Sequence, residues 1–138
     1  DAIYGDLNYV NAKKSDIIIR KWVSNDFNKS RFYFGWMPPH PTLYIKKSVY
    51  DKLGYYDESF GTAADYELIV RFFFKYQISC TYLNETVYVM RTGGISNSSI
   101  SSRLKAHRYD WLAWVKNDIS KFPFWIFLKP LRKISQYL

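Results

Sequence analysis

The residues with most chemical promise lie in the run Phe60-Gly61-Thr62-Ala63-Ala64-Asp65-Tyr66-Glu67-Leu68. Small side chains there let backbone approach a neighbour closely, and an acid then opens a helical pattern. Two readings of Asp65 follow. Aspartate is a favoured helix cap, and Glu67 in the first turn suits the helix dipole. Alternatively, Asp65 projects from the helix start into a cleft, where the positive helix end keeps it ionised and its carboxylate can take a proton from an attacking hydroxyl. Asp65-Tyr66-Glu67 also imitates a metal-binding pair, but Glu67 stands four residues before Arg71, the spacing of a helical ion pair, and is read as its partner. No metal is assigned to the pair.

Three other places carry possible chemistry. His40 lies between Pro39 and Pro41, on stiff backbone. A fixed imidazole could bond an acceptor or a phosphate, contribute to a metal, or be a loop histidine satisfied by backbone. Arg91 with Gly93, Gly94 and Ser96 could present a guanidinium and backbone N–H groups to a diphosphate, or be an ordinary glycine turn after a strand. Asp6 could face a cleft or be a solvated acid. His107 falls on the apolar stripe of a helix beside Leu104 and Trp111 and reads as a core or boundary residue. Two histidines and one cysteine give no zinc spacing.

The elements that must hold these residues follow from periodicity. Residues 3–10 and 17–23 are rich in Ile, Val, Tyr and Trp around a polar turn, which predicts two strands or a hairpin. Prolines predict an extended connector over 37–41. A short strand over 42–45, a short helix over 48–53 capped by Ser48 and stopped by Gly54, and a loop over 55–61 follow. Leu68, Ile69, Phe72, Phe73 and Tyr76 have helical spacing, predicting a buried helix over 65–76. Residues 78–90 are β-like with a break at Asn84 and Glu85, and 99–116 return to helical period.

One domain's worth of chain is present, 138 residues, and 48% hydrophobic with 20% aromatic content excludes a wholly disordered segment. The lone Cys80 excludes a disulfide-stapled scaffold and fits a reducing compartment. No stretch approaches the roughly 18 consecutive apolar residues that span a bilayer, and residues 1–10 lack the regions of a signal peptide. A cytoplasmic protein is expected. The net charge of +8 is concentrated at the end, where residues 121–138 hold four bases and no acid. Lys121, Lys129, Arg132 and Lys133 alternate there with Phe124, Trp125 and other apolar residues, which suits an amphipathic helical tail on anionic lipid at the inner face of the plasma membrane. Metal-finger spacing, an RNP1-like run and a basic helix outside the tail are all missing from the sequence, so nucleic acid is not an expected partner.

Five segments in order resemble the bacterial family 2 glycosyltransferases of the GT-A fold group. They are Tyr4-Gly5-Asp6-Leu7, Met37-Pro38-Pro39-His40-Pro41-Thr42, Gly54-Tyr55-Tyr56-Asp57-Glu58, Ala63-Ala64-Asp65-Tyr66-Glu67-Leu68 with Arg71, and Gly93-Gly94-Ile95-Ser96. The resemblance implies an α+β fold, the C-terminal part of an α/β GT-A domain, with a short mixed sheet packed with helices over 1–120 and the tail over 121–138. It implies an inverting transfer from a nucleotide-sugar donor to a glycan or lipid-linked acceptor in surface polysaccharide synthesis. Asp65 is then the base, and His40, Tyr66, Glu67 and Arg71 line the acceptor side. In that family the nucleotide-binding half and its Asp-x-Asp motif precede the Tyr-Gly-Asp strand. This chain would accordingly hold no cofactor, the divalent cation, Mn or Mg, would belong to the full-length enzyme, and the chain alone would be inactive. Strand edges left by the missing half would favour homo-oligomers. A non-catalytic module that binds a membrane or partner through its tail is the rival reading.

Overall fold

Strand β1 (Ala2–Val10) is the hub of a four-stranded mixed sheet. Its Ile, Tyr, Leu and Val residues favour the pleated conformation. On one side it pairs antiparallel with β2 (Ile18–Trp22) through Leu7 to Val10 and with β3 (Tyr44–Ile45) through Ala2 and Ile3. On the other it runs parallel to β4 (Cys80–Arg91). The computed structural model describes residues 1–93 and 100–119. Among the described residues the α-helices are α1 (Lys47–Leu53), α2 (Ala64–Ile69), which continues into a π-helical turn at Val70–Lys75, and α3 (Ile100–Lys116). The class is α+β, a small mixed sheet packed with helices.

Between its two antiparallel partners, β1 lacks a strand on that side, and hydroxyl groups replace the ladder. The Gly5 carbonyl accepts from Ser24 Oγ at 2.9 Å and from Thr42 Oγ1 at 3.0 Å. Asp6 is buried and its Oδ1 accepts from the Ser24 backbone N–H and from Tyr82 OH, both at 2.8 Å. Asp6 is therefore a structural acceptor that satisfies buried donors, neither a cleft acid nor a solvated one. Gly5 also answers to β4, which runs without a break through Asn84 and Glu85. Register passes from Tyr4 opposite Tyr82 to Asp6 opposite Thr86, so the expected break is instead a bulge of extra residues. The bulge presses on β1: a Cβ on Gly5 would lie 2.8 Å from the Glu85 carbonyl oxygen and from a Val87 methyl.

Aromatic rings fill the space between sheet and helices. Tyr4 meets Trp36 edge-on at 6.1 Å, Trp36 meets Phe32 at 5.5 Å, and Phe74 packs on Trp114 at 4.7 Å. Their polar ends are satisfied: Tyr4 OH donates to the Asn25 carbonyl at 2.7 Å and Trp36 Nε1 to the Ser24 carbonyl at 3.0 Å. Burial pushes the Cys80 thiol up to about 12, consistent with an inert small hydrophobe.

Several local expectations are corrected. The Pro-rich connector is extended only through Pro39, because His40–Thr42 form a 3-10 turn. Proline's fixed φ suits such a turn as well as an extended chain. Helix α1 starts one residue early, at Lys47, with Lys46 at the cap and no side-chain cap bond, so Ser48 does not cap it. Gly54 ends α1 as expected, at φ +89°. Glu58–Ala63 form a 3-10 helix rather than a loop, capped by Asp57, whose carboxylate accepts from Ser59 N–H at 3.1 Å. The tail residues Lys121, Phe124, Trp125, Lys129, Arg132 and Lys133, with Gly94 and Ser96, lie outside the described residues.

Two measurements test these constraints. Gly5→Ala forces the bulge aside and should cost about 1–3 kcal/mol in urea unfolding; unchanged stability would contradict the close approach. Asp57 pairs with Lys116 at the end of α3, and hydrogen bonds from Lys116 first and Ser59 second hold its carboxyl down at about 2. A carboxyl depressed in the folded state stabilises above its ordinary value near 3.8, and that contribution is lost as pH falls through about 2. Lys116 is largely exposed, so the effect is on the order of 1 kcal/mol or less. Asp57→Asn should flatten the stability profile between about pH 4 and pH 2.

Candidate functional site

Three chain segments bring Asp65, His40 and Tyr56 together. Asp65 sits in the first turn of α2 and does not cap it, since Ala63 occupies the cap position without a side-chain bond. Its Oδ1 accepts from the Tyr66 N–H at 2.7 Å, and the side chain remains 37% exposed. His40 begins the 3-10 turn that Thr42 fastens by donating to the Pro39 carbonyl at 2.8 Å and to Gly5. That anchor presents the imidazole, 39% exposed, with Nδ1 3.7 Å from Asp65 Oδ2. On the ring's other side, Nε2 lies 3.2 Å from Tyr56 OH. The two rings meet edge-on at 6.2 Å. Burial, followed by Tyr50 and the Asp65 charge, pushes the Tyr56 phenol up to about 12, so it stays a neutral donor through the ordinary pH range.

Tyr56 did not stand out as a chemical residue in the sequence; its only signal was membership of the Gly54-Tyr55-Tyr56-Asp57-Glu58 segment. Its position depends on two residues that did stand out. Glu67 is 1% exposed, and its carboxylate receives Arg71 Nε at 3.0 Å and Asn117 Nδ2 at 3.0 Å. The predicted i, i+4 pair is present. Arg71 also donates to the carbonyls of Leu53, Gly54 and Tyr55, the last at 2.6 Å. These groups follow the end of α1, where helical carbonyls lose their partners. The guanidinium thus fixes the chain immediately before Tyr56. Asn117, which ties α3 to Glu67, carried no sequence signal.

The remaining expected site residues fall elsewhere. Tyr66 was expected on the acceptor side but is buried, with its hydroxyl accepting from Trp114 Nε1 at 2.7 Å, and burial raises its phenol far above the ordinary value. Glu67 and Arg71 serve the packing of α1, α2 and α3 and do not line an open cleft. Asp65 and Glu67 cannot share a metal, because residues two apart on a helix point to different sides and Glu67 is committed inside. Among the described residues, no three His, Cys, Asp or Glu side chains gather to hold a metal ion. Arg91 is exposed and lies opposite Val10, five residues along β1 from Gly5 and about 17 Å at the ordinary strand rise. Gly93 follows at φ +103°, the turn conformation glycine permits. Arg91 and Gly93 thus stand towards the end of β1 away from Gly5, to which Thr42 fastens the His40 turn. His107 is half-buried on α3, as its place on the apolar stripe predicts.

No helix among the described residues is long and apolar enough to cross a membrane. Compared with protein-family models, with curated proteins and with solved structures, the chain matches none.

Arg71→Ala would strand the buried Glu67 carboxylate and release the end of α1. We expect it to cost about 3–5 kcal/mol in chemical denaturation. A loss below about 1 kcal/mol, the size of an exposed pair, would show that the network is not what fixes these helices.

Proposed function

We propose that this chain is the acceptor-side, base-bearing portion of an inverting glycosyltransferase of the GT-A type. The observation that carries the reading is the Asp65 carboxylate, partly open to solvent and opposed by a histidine on a rigid turn. An acid that served only to cap α2 would bond the N–H two or three residues on; Asp65 instead leaves one oxygen directed at His40. In the proposed reaction Asp65 takes the proton of an acceptor hydroxyl. The acceptor oxygen forms a bond to the anomeric carbon of a nucleotide-sugar while the bond to the diphosphate oxygen breaks, and the diphosphate leaves with that electron pair. Donor binding, and the divalent cation that neutralises the diphosphate, belong to a portion of the enzyme outside this chain. The glycan or lipid-linked acceptor would approach from the His40 side.

The test is made in the polypeptide that includes the donor-binding portion. Asp65→Asn should lower kcat by about 10²–10⁴-fold, the usual worth of a general base, and leave donor affinity and fold unchanged. Turnover within about twofold of the parent would rule Asp65 out as the base.

A further inference from the structure

Deepening that reading, we propose that Tyr56 is a positioning residue that holds neutral His40 as its Nδ1–H tautomer, so that the imidazole N–H faces the Asp65 carboxylate. The two ring nitrogens of a neutral histidine divide donor and acceptor roles, and a bond to one decides the state of the other. His40 has a different partner on each side: Tyr56 OH at 3.2 Å from Nε2 and Asp65 Oδ2 at 3.7 Å from Nδ1. A carboxylate only accepts, so a proton on Nε2 would leave Nδ1 facing Asp65 lone pair to lone pair. The Tyr56 phenol can donate, and its donation to Nε2 places the ring proton on Nδ1. Donor then faces acceptor at both ring nitrogens.

The backbone supports this assignment. Pro39 and Pro41 flank His40, and Thr42 pins its turn to β1, so the backbone that carries the ring is held in place beside Asp65 and Tyr56. Tyr56 is fixed from its own side by Arg71 on the Tyr55 carbonyl and by the Tyr50 ring at 6.3 Å. Asp65 Oδ1 is already engaged by the Tyr66 N–H, so an N–H facing Oδ2 across 3.7 Å adds an electrostatic restraint on the second oxygen. An orienting partner of this kind keeps a base aimed before substrate arrives.

The tautomer is read directly by long-range proton–nitrogen NMR on the ¹⁵N-labelled chain, at alkaline pH where the imidazole is neutral. His107→Gln assigns the His40 resonances, since the chain has two histidines. The expected pattern has a pyridine-type Nε2 and a pyrrole-type Nδ1. Tyr56→Phe should move it towards the Nε2–H form, with backbone amide shifts away from His40 unchanged. A parent chain already in the Nε2–H form, or a Tyr56→Phe pattern identical to the parent, overturns the proposal. In the polypeptide with the donor-binding portion, Tyr56→Phe should lower kcat about tenfold with acceptor and donor KM preserved. A shifted tautomer with unchanged kcat overturns the positioning role. Should Asp65→Asn leave turnover intact while the tautomer behaves as expected, the transferase reading fails and the tautomer assignment stands.

Discussion

A carboxylate with almost no exposure to water must be fully paired, and the placement of Glu67 dictates much of the molecule. Its Oε1 accepts from both Arg71, on the π-helical continuation of α2, and Asn117, just beyond α3, while Oε2 accepts from Arg71. The charge of Arg71, once committed to Glu67, is extended to three carbonyls at the end of α1. Three helical segments are thereby joined at one ion pair. Apolar packing alone would favour burial without choosing a particular rotation of α2, whereas a buried acid tolerates few. The rotation that buries Glu67 carries Asp65 to the surface, because residues two apart on a helix point to opposite sides.

A second fixed point lies on β1. The Gly5 carbonyl receives Ser24 and Thr42 where β1 passes from one antiparallel partner to the next, and Asp6 receives Ser24 and Tyr82 beside it. Glycine is required because a Cβ at this position would run into the β4 bulge. The Thr42 bond sets the height of the His40 turn on the sheet, while the Glu67 network sets the positions of α2 and the end of α1. His40, Asp65 and Tyr56 are thus carried by two structures that are each over-determined. The exposed cluster itself has to supply little of its own order.

What was legible in the sequence divides along the same lines. The hairpin of β1 and β2, the Gly54 stop and the Glu67–Arg71 pair could be read because each depends on residues close in sequence. Helix α1 escaped the capping rule because its start is fixed by β3 and the Lys46 backbone bond to the Asp1 carbonyl, not by a side chain. Proline at 41 misled because its fixed φ serves a 3-10 turn and an extended chain alike. Asp6 and Tyr66 looked accessible in a linear reading, yet their partners, Tyr82 and Trp114, lie 76 and 48 residues away. Tyr56 could not be selected over Tyr55 on chemistry, since their difference is which hydroxyl meets His40 and which meets Asp51.

That last contrast also separates structure from function within one short segment. Tyr55 gives its hydroxyl to Asp51 on α1, which Lys47 also holds, so its polar contacts close on the helix that precedes it. Tyr56 turns to a histidine and, through it, to a carboxylate from two other elements. Packing would be served by a phenylalanine at 56, for the edge-on ring contact with His40 needs no hydroxyl. The hydroxyl matters to the state of the imidazole. The hydroxyl of Tyr56 is directed to a half-exposed histidine, next to an acid that leaves an oxygen free of helix duties, and this is the feature on which the proposed proton transfer rests.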